Sequence, residues 1–130
     1  MFPVWKKPGP TSELAPKDWV WTLELDGVRK AYPMAVLLRL PLLHDRVGAT
    51  DIALITDAES EAVRVYATGG RKLRSEGGPQ WVAHESGEAF LLDETALVSE
   101  QGTRLERVAG HRAYWFGWYA FFPGTELYRP

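Results

Sequence analysis

The chain has 130 residues, 45% of them hydrophobic and 25% charged, with a formal net charge of −2. That is the size of one domain, large enough to bury roughly two-thirds of its unfolded surface in a single core, and its balance of charge offers neither nucleic acid nor an anionic membrane a basic field. No stretch reaches the roughly 20 apolar residues that span a bilayer, and with no cysteine the chain has no disulfide, thiolate metal site or thiol nucleophile.

Residues 1–18 hold four of the nine prolines and no periodic pattern. They are expected to form an extended arm ahead of a single globular domain over 19–130. The opening MFPVWKKPGP has no apolar h-region, so no secretory signal is expected in it. The next stretch, WVWTLEL (19–25), alternates. Trp19, Trp21, Leu23 and Leu25 fall on one face and Val20, Thr22 and Glu24 on the other, the period of a half-buried strand. Asp26-Gly27 suits a two-residue turn in which both residues reach φ > 0. VRKAY (28–32) is then the returning strand.

Pro33 can open a helix at its first turn, where its missing N–H costs nothing. MAVLLRL predicts a short helix near 34–40 that Pro41 stops. A turn is expected at His44-Asp45, continuing through Val47-Gly48 with the Asp45 carboxylate accepting backbone N–H bonds. DIALIT (51–56), AVRVYA (62–67), RKLRS, QWVAHE, EAFLLDE and TRLERV follow as short strand candidates punctuated by Gly69-Gly70 and Gly77-Gly78-Pro79. This pattern predicts an α+β fold, mainly antiparallel β, as a small open barrel or a twisted sheet.

Residues 111–128, HRAYWFGWYAFFPGTELY, carry half of the sixteen aromatic side chains. Trp115, Trp118, Tyr119 and Phe122 recur at i, i+3, i+4 and i+7, one face of a helix near 112–122 that Pro123-Gly124 ends. At 1.5 Å per residue the uncharged run covers about 18 Å, too short for a bilayer core of about 30 Å. The rings are therefore expected in the core, with Trp115 and Trp118 among the most buried residues and Trp19 and Trp21 beside them.

Local catalytic motifs are missing. No serine sits in a G-x-S-x-G elbow, and the paired glycines lack the spacing of phosphate-binding loops. Asp93-Glu94 reads as a solvated turn, and Arg71, Lys72 and Arg74 as a patch too small for nucleic acid. Three histidines, His44, His84 and His111, match no local metal motif, so only folding could gather them. No cofactor is expected. The absence of asparagine and the excess of arginine over lysine suit a heat-adapted protein, although a high-GC codon bias would leave the same trace.

Lys30-Ala31-Tyr32-Pro33, an apolar helix and His44-Asp45-Arg46-Val47-Gly48 resemble the opening of domain-of-unknown-function family 3179. Its members show R-A-Y-P, an N-D pair with a following glycine, and a strand bearing Y-C-P-L-C. Their tail shows G-x-x-L, a tryptophan pair and P-x-T. Gly102 with Leu105, Trp115 with Trp118, and Pro123-Gly124-Thr125 match that tail in order. Where the family carries its cysteines this chain has Ile55-Thr56-Asp57-Ala58-Glu59-Ser60, so no thiol chemistry carries over.

The resemblance implies a shared architecture, with Gly27, Pro33, Trp115, Trp118 and Pro123 in structural roles. It also implies an envelope-associated setting. Two functions follow as expectations. One is a non-catalytic binding or accessory module with an unknown protein or small-molecule partner. The other is a metal or small-ligand site built from Tyr32, His44 and Asp45, with His84 or His111 as further ligands.

Overall fold

The computed structural model describes residues 18–77, 80–83, 86–93 and 95–129. The proposed arm, apart from Asp18, and His84 lie outside the described residues. The expected mainly antiparallel α+β architecture is present. In chain order the elements are β1 (Trp19–Leu25), β2 (Val28–Pro33), α1 (Met34–Arg39), β3 (Leu42–Val47), β4 (Thr50–Thr56), β5 (Val63–Ala67) and β6 (Leu73–Ser75). They continue as β7 (Gln80–Ala83), β8 (Ala89–Leu92), β9 (Ala96–Ser99), β10 (Arg104–Val108), β11 (Gly110–Tyr114), α2 (Trp115–Phe121) and β12 (Glu126–Leu127).

Two sheets result. Four strands take the order β11-β1-β2-β12, and eight take the order β3-β4-β5-β10-β9-β8-β7-β6. The larger sheet curls until its two edge strands meet, where the Leu73 N–H of β6 donates to His44 Nε2 of β3 at 2.9 Å. This is the open barrel of the sequence reading, closed at its seam by a side chain instead of a strand ladder.

The first hairpin forms as expected, with Asp26 at φ 53° and Gly27 at φ 76°. Its tip also organises the next one. Asp26 Oδ2 accepts from Ala49 N–H and Thr50 Oγ1, each at 2.8 Å, and so holds the β3–β4 turn. Gly48 at that turn has φ 60°, and a Cβ there would come within 2.6 Å of Asp26 Cβ. The expected turn at His44-Asp45 is therefore displaced. Both residues lie inside β3, and Asp26 performs the capping role assigned to Asp45. A polar pair in the middle of LLHDRV hides the strand's alternation.

The aromatic segment divides. Residues 110–114 add β11 to the edge of the smaller sheet, pairing with β1, so the helix starts at Trp115, three residues later than the sequence suggests. Gly110 is required at this close approach, because a Cβ would meet Trp21 Nε1 at 2.6 Å and Thr22 O at 2.7 Å. Trp115 is fully buried with Val20, Ala31 and Leu127. Trp118 is only partly buried at the margin of that cluster.

The face assignment in β1 is also corrected. Val20 and Thr22 are fully buried, while Trp19 is 43% exposed and stacks on Tyr114 with ring centroids 4.0 Å apart. The reason is that β1 is central in its sheet, with α2 packed on the face that carries Val20. Both faces are therefore covered, and alternation loses its meaning.

Candidate functional site

Two positions in the KAYP and HD segments converge. Lys30 and Tyr32 point the same way from β2, two residues apart, and Asp45 faces them from β3. Asp45 Oδ2 accepts from the Tyr32 hydroxyl at 2.6 Å and lies 2.8 Å from Lys30 Nζ. Tyr128 stacks on Tyr32 at 5.3 Å, and the Lys30 ammonium lies over both rings at 5.6–5.7 Å. Burial works to raise the Asp45 carboxyl, but the bonds from Lys30 and Tyr32 outweigh it and hold the group below its ordinary range. Burial, then the bond to Asp45, pushes the Tyr32 phenol far above its ordinary value. Tyr32 is thus a neutral donor and Asp45 a fixed anion, a pair suited to holding strands together.

His44 leaves β3 on the opposite face, because successive strand residues alternate. Its Nε2 lone pair is taken by Leu73, which fixes the proton on Nδ1. Burial, followed by the nearby Lys72 charge, lowers its pKa and keeps the ring neutral. His111 lies on β11, its backbone carbonyl accepting from Thr22 Oγ1 and its ring edge-on to Trp118 at 5.3 Å. The structure therefore joins Tyr32 to Asp45, turns His44 away from both, and places His111 in the other sheet. No group of three His, Asp or Glu side chains able to hold a metal occurs among the described residues.

The matched tail is built in the same manner. Trp118 Nε1 donates to Thr125 Oγ1 at 2.8 Å, and that hydroxyl donates to the Phe122 carbonyl at 2.7 Å. The chain of bonds satisfies a free carbonyl at the end of α2 and sets the turn through Pro123-Gly124 into β12. Thr125 is buried. Of the positions given structural roles, Gly27 forms the hairpin turn, Pro33 leads into α1, Trp115 fills the core, and Trp118 and Pro123 shape this turn.

On a different surface, a groove of about 930 Å³ opens over β7, β8 and β9 and reaches Arg104 at the start of β10. Its floor is set by register. Leu91 sits between Gln80 and Val98, and Val98 is paired in turn with Arg104. Val82 and Ala89 make the neighbouring row. Trp81, Phe90 and Leu97 turn inward to the core, which leaves Leu91 55% exposed. A large aliphatic side chain thus faces water beside the half-buried Val82 and Val98.

The sequence reading missed these residues, but a signal was present. Residues 75–103 hold six of the seventeen acidic residues and none of the fifteen Lys and Arg. At the groove, Glu76 pairs with Arg74, and Arg104 reaches out of it to Glu106. Asp93 and Glu100 add charge at its rim. A smaller pocket of about 270 Å³ lies beside the Trp19–Tyr114 stack, walled by Met34, Leu38, Glu61 and Arg112. It adjoins Asp18, where the described chain begins.

No curated protein and no solved structure matches the chain. The family described as "Protein of unknown function (DUF3179)" matches over residues 1–125, a span that takes in the Lys30–Tyr32–Asp45 contact, the barrel seam, the groove and the Trp118–Thr125 turn. The chain belongs to DUF3179, as a member without cysteine.

Proposed function

We propose that this domain is a non-catalytic binding or accessory module, and that the groove over β7–β9 is its binding surface. One observation carries the reading: Leu91 and its apolar neighbours are open to solvent, while the groups that could do chemistry are engaged in bonds that hold strands together. His44 closes the barrel, Asp45 joins β3 to β2, and Trp118 ends α2. Removing any of these from its partner would leave a half-buried polar group unsatisfied, at a cost of about 1–3 kcal/mol. The envelope setting implied by the resemblance suits a module that docks onto another component.

A second reading rests on the convergence of Lys30, Tyr32 and Asp45. There a small anionic ligand would compete with Asp45 for the Lys30 ammonium. The two are separated by amide chemical shifts of the labelled domain, titrated with indole as an apolar probe and with inorganic phosphate as an anionic one. Shifts on Val82, Ala89, Leu91 and Val98 with indole support the groove. Shifts confined to Lys30, Tyr32 and Asp45 with phosphate favour the second reading and overturn the first.

A further inference from the structure

We propose that the groove over β7–β9 receives a cationic, apolar protein segment in extended conformation, a class of partner that presents lysine or arginine on one edge and aliphatic side chains on the other. The inference rests on the groove being the binding surface and adds to it the chemistry of the occupant. Three observations carry it.

Charge is the first. The net charge of −2 conceals an uneven distribution. Residues 75–103, which build β7, β8 and β9, contribute six negative charges and no Lys or Arg, whereas the rest of the chain has fifteen basic residues against eleven acidic ones. Arg74 and Arg104, which flank the groove, are each paired with a neighbouring glutamate, and the Arg104 charge also acts on Asp93. A partner entering this field gains from positive charge and loses from negative charge.

Shape is the second. The row Gln80–Leu91–Val98–Arg104 crosses four strands, hence three strand spacings or about 14 Å. That distance matches about four residues of extended chain. The third is the floor itself. Two adjacent apolar rows, Leu91 with Val98 and Val82 with Ala89, take every second side chain of an extended segment. The alternate side chains then point to the rim, where Asp93 and Glu100 stand. An occupant without apolar groups would leave Leu91 wet, and one without cations would add nothing to the Arg104 charge that already acts on Asp93.

The test uses the full chain and two fluorescein-labelled hexapeptides, one alternating lysine with leucine and the other alternating serine with leucine. Fluorescence anisotropy is expected to show binding of the lysine peptide, weakening as salt is raised, because the contributing charges are exposed and screened. The serine peptide is expected to bind about tenfold more weakly. The Asp93→Asn/Glu100→Gln double variant should lose a similar factor for the lysine peptide alone. Leu91→Ser should weaken both peptides. All three positions lie at the surface, so unchanged circular dichroism and melting are expected in these variants.

Equal binding of the two peptides, lost together in Leu91→Ser, would overturn the cationic occupant and leave the binding module standing. Lysine-peptide binding that neither variant weakens would place the contact elsewhere, and both readings would fall. Both fall equally if neither peptide binds. A dimer in sedimentation that Leu91→Ser dissociates would identify the occupant as a second copy of the chain, against the proposal.

Discussion

At the level of single residues, His44 and Asp45 stand side by side in β3 and answer to different partners, so acid acts on them separately. The His44 pKa is lowered in the folded state, by burial and then by Lys72. Its contribution is therefore complete above the ordinary value of 6.5 and is lost as the pH falls below it, because the unfolded chain takes up the proton first. His44→Gln keeps an acceptor for Leu73 and removes the titration. Urea unfolding of parent and variant should give midpoints that fall together above neutrality, with the parent alone losing ground just below pH 6.5. The Asp45 carboxyl is also lowered, its bonds to Lys30 and Tyr32 outweighing burial, so its share persists above the ordinary 3.8 and disappears in stronger acid. Asp45→Asn should cost about 1–3 kcal/mol at neutral pH, since it strips a half-buried ammonium of its counter-ion. The same titration at neutral pH measures it.

Within the elements, the two tryptophans of α2 look equivalent by spacing but are not equivalent in energy. Trp115→Ala empties a fully buried site and should cost about 3–5 kcal/mol. Trp118→Phe keeps much of the ring and loses the bond to Thr125, so about 0.5–1.5 kcal/mol is expected. Thermal melts of the two variants should fall in that order. Gly27→Val should cost about 1 kcal/mol or more through backbone strain alone, because nothing lies within 4 Å of a Cβ built there. These contrasts also mark what the sequence could disclose. The 19–33 hairpin, α1 and the barrel class were legible because local rules dictate them: Asp-Gly at positive φ, proline at a helix start, short strands between turns. Strand β3 was hidden by its central His-Asp pair, and β11 by being an exposed edge with little apolar alternation. The groove was hidden differently, since its floor exists only when Leu91, Val98 and Val82 are set side by side by register.

Across the whole molecule, the larger sheet closes through one histidine, and the smaller one holds α2 against β1 and β2. Hydrogen exchange offers a direct test of that closure. The Leu73 amide belongs to an edge strand, yet it should exchange more slowly than an unbonded edge amide, and His44→Ala should release it. The lack of asparagine, together with nine prolines, leads us to propose a heat-adapted domain with a melting temperature above about 65 °C. A calorimetric transition inside the ordinary range of about 45–65 °C would refute it.

The order of strands in the smaller sheet bears on how the chain is made. β1 lies between β2, which follows it at once, and β11, whose His111 sits opposite Thr22 across 89 positions of sequence. On a ribosome adding about 5–20 residues per second, the first hairpin, complete at Pro33, would wait on the order of 4–15 s for β11, which starts at Gly110. Throughout that interval Val20 and Ala31 have no Trp115 to cover them, and the free edge of β1 is open to any passing strand. Until β11 and α2 are made, the nascent chain would be open to misassociation through the uncovered face and edge of this hairpin.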